Sequence, residues 1–202
     1  MGFEPGAFQA CGPFFFPIGA GSRAFRPSTG PWGHVGSRGA LGRGRYSLPM
    51  TQSLQDRFAP TNRCFGCGPA NPKGLRLKSF PQGDEVLCTW QPESHHEAFT
   101  GMLNGGICGA LLDCHSNWTA AWHLMNRNGL ETPPCTVTAE FHVKLRKPTP
   151  SDGPVTLRAH VVESSANKAV VEATLEARGE VTCTCRGVFV AVKEGHPAYH
   201  RW

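Results

Sequence analysis

Between Gly105 and Met125 apolar side chains fall on almost every face: Ile107, Cys108, Leu111, Leu112, Trp118, Ala121 and Trp122, with glycine and alanine where something must pack closely. A helix that is apolar all round cannot lie on a surface, so the rest of the chain has to supply a sheet that covers it. Asn128-Gly129 and Pro133-Pro134 close it. Four strand-like runs follow, over 136–145, 155–162, 169–177 and 181–192, parted by turn residues. Upstream, Leu75, Leu77 and Ser79 alternate with Arg76 and Lys78 as in a strand, and Gly83-Asp84 turns the chain into a second strand over 86–90. The order β-β-α-β-β-β-β predicts an α+β domain, an antiparallel sheet wrapped around one long central helix. The sequence holds no internal repeat.

The expected domain spans 51–202. Residues 1–50 read as a disordered leader, rich in Gly, Pro, Arg and Phe, that cannot bury enough apolar surface to offset chain entropy. Five of its residues are arginine and one is acidic, so it carries +4 of the chain's +5 and leaves the remainder nearly neutral. A nucleic-acid partner would need a basic patch on the folded part, and none is expected. An arginine-rich, acid-poor leader fits a transit peptide for a plastid or mitochondrion; translation from Met50 would instead give a cytoplasmic protein. No run reaches the roughly 18 apolar residues of a membrane span. Nine cysteines without a secretory signal, several in apolar runs, read as reduced thiols.

Chemistry concentrates at the start of the long helix. Gly105 and Gly106 let a ligand approach the backbone without a Cβ in the way, and the first-turn amides point outward with the helix dipole behind them. Such a site suits an oxygen acquiring negative charge, each donor contributing roughly 2.7–4 kcal/mol in the transition state. Asp113, eight residues past Gly105 on the same helix, is an ionisable group in an apolar setting and can serve as base or nucleophile. A helix-internal Asp bonded to backbone, or one paired with an arginine, is the plainer alternative.

The segment Gly101-Met102-Leu103-Asn104-Gly105-Gly106, followed by Asp113, resembles the Gly-x-x-His-Gly-Gly-(x)6-Asp motif of the phenylacetate-pathway branch of the hotdog-fold thioesterases. The likeness covers roughly 62–193, including Cys64-Phe65-Gly66-Cys67-Gly68-Pro69 and Asn71-Pro72-x-Gly74-Leu75. It implies a hotdog fold and hydrolysis of an acyl-CoA or acyl-carrier thioester. Coenzyme A is then part of the substrate, and no separate cofactor or metal is expected. It implies self-association as a dimer or tetramer, with active sites across the interface. The Gly105 amide would polarise the carbonyl, and Asp113 of the opposite subunit would act as base or nucleophile. A hydroxyl early on the following strand, Thr138 or else Thr136, would hold the attacking water. Asn104 stands where the family has His; a role in orienting local backbone is one asparagine can keep.

Further residues are expected to bind substrate: Gly106 at the helix start, His96 at the site mouth, and Arg146, Lys147 and Lys168 on coenzyme A phosphates. His115 lies two residues past Asp113, faces away from it on a helix, and reads as a core or interface histidine. Cys64-x-x-Cys67 is a weak metal signal alone, since structural zinc needs further ligands; Cys114, Cys183, Cys185, His95 and His96 are the candidates, and a reduced pair in a tight turn is the simpler reading. Trp118, Trp122 and Phe141 suggest an aryl or medium-length acyl group. A non-catalytic acyl-binding or scaffolding module is the alternative. A hotdog hydratase would want histidine at position 118, where this chain has Trp118.

Overall fold

The computed structural model describes residues 51–199, and the leader expected over 1–50 lies outside them. A short helix α1 (Leu54–Phe58) is followed by strands β1 (Phe80–Gln82) and β2 (Glu85–Trp90), then a two-stranded ribbon of β3 (Glu97–Phe99) and β4 (Met102–Leu103). The long helix α2 (Gly105–Asn128) comes next, then β5 (Thr136–Leu145), β6 (Val155–Ser164), β7 (Lys168–Ala177) and β8 (Glu180–Ala191). The main sheet runs β1-β2-β6-β7-β8-β5, every neighbour antiparallel.

Helix α2 is the axle of the domain. Leu111, Leu112, Trp118, Ala120, Ala121 and Leu124 are all buried, and exposure is confined to its two ends. From the sheet Leu157, Val171, Leu175 and Phe189 meet this face, each large side chain contributing about 1.5–3 kcal/mol by leaving water. Gly129 caps the helix at φ 65, a conformation only glycine adopts freely, and its amide reaches back to the carbonyls of Asn126 and Met125.

The wrapped-helix arrangement and the last four strands agree with the sequence reading to within two residues at each end. The first strand does not. Leu75, Leu77 and Ser79 are buried in alternation, but their hydrogen bonds leave the sheet: Leu75 N–H donates to Phe65 O, Leu77 N–H to Gly66 O, and Ser79 O accepts from Leu54 N–H. Arg76 at φ 53 also breaks the extended run, so pairing starts only at Phe80. Alternating burial marks one covered face, whether a ladder or a loop covers it.

His115 is a core histidine. Its Nε2 lies 2.9 Å from Val86 O and its Nδ1 2.9 Å from Ser79 Oγ, which accepts from Gln55 Nε2 at 2.9 Å. This chain ties α1, the loop before β1, and β2 to the middle of α2. Burial pushes the imidazole down to about 4, opposed only in part by the Val86 carbonyl, so the ring sits neutral in the core.

Candidate active site

Asn104 is the N-cap of α2. Its Oδ1 accepts from Gly106 N–H at 2.8 Å and Ile107 N–H at 3.3 Å, and its carbonyl accepts from Cys108 N–H at 3.1 Å. Of the first-turn amides, these bonds leave over that of Gly105. Asparagine here therefore satisfies the helix end and leaves one donor at the position the motif assigns to the oxyanion. Gly106, expected to bind substrate, spends its amide on the cap.

His96 lies beneath this cap, not at an open mouth. Its carbonyl accepts from Asn104 N–H at 2.9 Å, its Nδ1 accepts from Glu93 N–H at 2.9 Å, and its buried ring packs against Trp90 in a tilted contact with centroids 4.8 Å apart. Burial, helped by the neighbouring His95, holds the ring below the ordinary histidine value, against the pull of Glu93. Before the cap, Gly101 turns the ribbon β3–β4 at φ 78, which accounts for glycine at that place in the motif.

An apolar cleft of about 300 Å³ opens beside Gly105, lined by Phe99, Met102, Leu103, Leu145, Arg146 and Lys147 among others. Phe99 and Leu145 stand 64% and 57% exposed around it, large apolar groups in water at a site mouth. A Cβ on Gly105 would lie 2.8 Å from Leu145 Cδ1, so the glycine lets that side chain close over the helix end. Arg146 and Lys147 thus come to the Gly105 site, where Arg146 Nε donates to Thr184 Oγ1 and Lys147 Nζ to Glu180. A wider concavity of about 770 Å³ on the sheet is lined by ion-paired residues such as Glu85, Arg158, Glu172 and Arg186, and neither Asp113 nor Gly105 borders it.

Asp113 is held from the sheet. Thr138 Oγ1 donates to its Oδ1 at 2.7 Å. A bulge between Thr138 and Glu140 makes this possible: the extra residue shifts the alternation, so Thr136 and Thr138 face α2 before it while Phe141 and Val143 face the core after it. Thr136, the other hydroxyl considered, is fully buried and donates to Asn117 Oδ1 at 2.8 Å. Lys168 shares a register position with Val190 and Val137, at the Asp113 end of the sheet, away from Arg146 and Lys147.

Within one chain the two halves of the site are apart. Eight residues of helix separate Gly105 from Asp113, about 12 Å along the axis, and one thioester carbonyl cannot touch both. The long edge strand β5 runs past both, with Leu145 at the Gly105 end and Thr138 at the Asp113 end. Trp118 and Trp122 line neither end: Trp118 is buried with its Nε1–H on Cys67 Sγ, and Trp122 packs on Phe58. Sequence reasoning missed Phe99, Leu145 and the bulge. An exposed apolar residue beside Arg146-Lys147 was a usable signal for Leu145, whereas the bulge leaves none.

Residues 100–184 match the family model of the thioesterase superfamily. Among solved structures, a thioesterase superfamily protein from Shewanella loihica is similar at 27% identity and TM-score 0.50, covering 62% of this chain and 98% of that one. A putative thioesterase from Ralstonia eutropha, a phenylacetic acid degradation-related protein, shares the fold at 17% identity and TM-score 0.51, over 62% and 92% of the two chains. A thioesterase from Haemophilus influenzae does so at 20% and 0.50, over 60% and 84%. No curated protein matches the sequence. The match falls on the capped helix, Asp113 and most of the wrapping sheet, so over that segment the chain is similar to the thioesterase superfamily, and its fold is the hotdog fold.

Proposed function

We propose that the protein hydrolyses an acyl-CoA thioester, at sites formed where two copies meet along β5. The observation that carries this reading is the separation of Gly105 and Asp113 on one helix, beside an open strand edge. Antiparallel pairing of two β5 strands centred on His142, with the bulged pair counted as one position, sets Thr138 of one copy opposite Leu145 of the other. Asp113 then comes to the Gly105 end of the second copy. The same pairing covers a ten-residue edge whose unpaired amides and carbonyls would otherwise invite aggregation.

The acyl chain would lie in the apolar cleft under Phe99 and Leu145, with Arg146 and Lys147 at the rim for coenzyme A phosphates. Water held by Asp113 attacks the carbonyl carbon and gives its proton to the carboxylate, while the oxygen that becomes negative accepts from Gly105 N–H. The tetrahedral centre collapses, the C–S bond breaks, and the proton passes to the leaving thiolate. Direct attack by the carboxylate would instead give an anhydride that water then opens.

The test is thiol release by the full chain on a panel of acyl-CoAs, beside Asp113→Asn. Turnover lower in the variant by roughly 10²–10⁴-fold, with unchanged thermal stability, is expected. Binding of acyl-CoA without release by the parent protein would give an acyl-binding module instead.

A further inference from the structure

Three thiols that the proposed hydrolysis does not use converge beside the middle of α2, where Cys114 lies. The Sγ atoms of Cys64, Cys67 and Cys114 lie within 4.8 Å of one another, with Cys64 and Cys114 3.7 Å apart. Of the candidates the sequence offered to complete the Cys64-x-x-Cys67 pair, the fold selects Cys114. Cys183 is with Thr149 and Cys185 with Ser116, while the rings of His95 and His96 pack against each other, tilted, near Trp90.

The loop is built for close sulfur approach. Gly68 N–H donates to Cys64 O at 2.9 Å, and Asn62 Oδ1 accepts from Cys64 N–H at 2.7 Å. Trp118 Nε1–H donates to Cys67 Sγ at 3.3 Å. A Cβ on Gly66 would lie 2.4 Å from Cys114 Sγ, so only glycine lets the helix thiol reach the pair. A Cβ on Gly68 would meet backbone at 2.4 Å, which fixes the turn as tightly.

Thiolates at about 2.3 Å from a tetrahedral Zn(II) stand about 3.8 Å from each other. Cys64 and Cys114 already stand at that spacing, all three sulfurs lie within 4.8 Å of one another, and Trp118 Nε1–H is aimed at Cys67 Sγ, a convergence that packing of reduced thiols does not require. We infer that Cys64, Cys67 and Cys114 form a binding site for a thiophilic divalent ion of the Zn(II) type, with the fourth position left to water or an external ligand on the partly exposed Cys64 side. Three S–H bonds become three S–metal bonds, and the three protons go to solvent. The ion clamps the loop over 62–77 to the middle of α2, one residue from Asp113, and so fixes the helix that carries the carboxylate.

The test uses the full chain, purified reduced, stripped with chelator and titrated with Zn(II), and with Co(II) as an optical reporter. About one equivalent of Zn(II) retained per chain, a thiolate-to-cobalt charge-transfer band and a raised melting temperature are expected. Cys64→Ala, at a partly exposed position, should weaken binding by more than the ~10–100-fold typical of losing a supporting contact. Cys114→Ser should do the same, and Cys135→Ala should leave binding unchanged. Zn(II) held no better by the parent than by folded Cys64→Ala would overturn the inference. So would a reduced protein that takes no metal but forms a disulfide among these three cysteines on oxidation. Metal content and spectra are read without turnover, so this test and the thioesterase assay can fail independently.

Discussion

Thr138 on β5 donates its hydroxyl to the Asp113 carboxylate on α2 at 2.7 Å, joining the sheet edge to the residue proposed to carry the chemistry. A hydrogen bond to a charged acceptor contributes about 1.5–3 kcal/mol, less where water competes as it does here. Thr138→Val keeps shape and β-branching and removes only the hydroxyl. Turnover is expected to fall about tenfold with KM nearly unchanged, because the carboxylate loses its fixed orientation while the acyl cleft keeps its lining. A variant with a raised KM and parental kcat would instead put Thr138 in substrate binding.

Asn104 separates stability from catalysis. Asp at this position can accept from Gly106 and Ile107 N–H as Asn104 does, and its charge suits the helix N-terminus, so Asn104→Asp should melt no lower than the parent. The same charge sits beside the Gly105 amide and repels the oxygen that becomes negative in hydrolysis. Turnover is therefore expected to drop by at least tenfold in a fully stable protein. Asn104→Ala gives the complementary result, a stability loss of about 1 kcal/mol from the missing cap, measurable by thermal melting.

How much of this was legible in the sequence depended on whether a local pattern had one physical cause. The all-round apolar run 105–125 has one, burial, and it specified the axle of the fold. The Gly105-Gly106 pair was legible as a helix start for the same reason, and α2 does open at Gly105 with Asp113 about two turns on. The alternation at Leu75, Leu77 and Ser79 had two causes, ladder or covered loop, and the loop won because Arg76 turns to positive φ. His96 failed differently. Its proximity to the motif was read correctly, but its ring packs under the cap against Trp90, a contact that no spacing encodes. The union of Cys114 with Cys64-x-x-Cys67 spans fifty residues and needed the helix and loop to be placed first.

The proposed pairing along β5 puts His142 opposite its own copy. Directly opposed residues in antiparallel strands have Cβ atoms about 4.5–5.5 Å apart, near the range a disulfide spans. His142 is exposed, so His142→Cys should fold as the parent does. Mild oxidation is expected to give a covalent dimer on a non-reducing gel, absent from the parent protein. A variant that stays monomeric, or cross-links no faster than a cysteine placed on the exposed face at His160, would remove the basis for a shared site.

The sharpest test of a divided site is complementation. Gly105 is the first residue of α2, where proline is tolerated, and Asn104 at φ −64 and ψ 133 already has the extended backbone that a residue before proline prefers. The ring would press only on the end of the Leu145 side chain. Gly105→Pro should thus fold while losing the one N–H proposed to hold the oxyanion, lowering turnover by roughly 10²–10³-fold. Asp113→Asn disables the other half. Unfolded together and refolded as a mixture, the two inactive variants form some mixed dimers in which one site has an intact Gly105 from the Asp113→Asn copy and an intact Asp113 from the Gly105→Pro copy. Activity should return in the mixture alone. If both groups act within one chain, every site in the mixture lacks one of them and no activity returns.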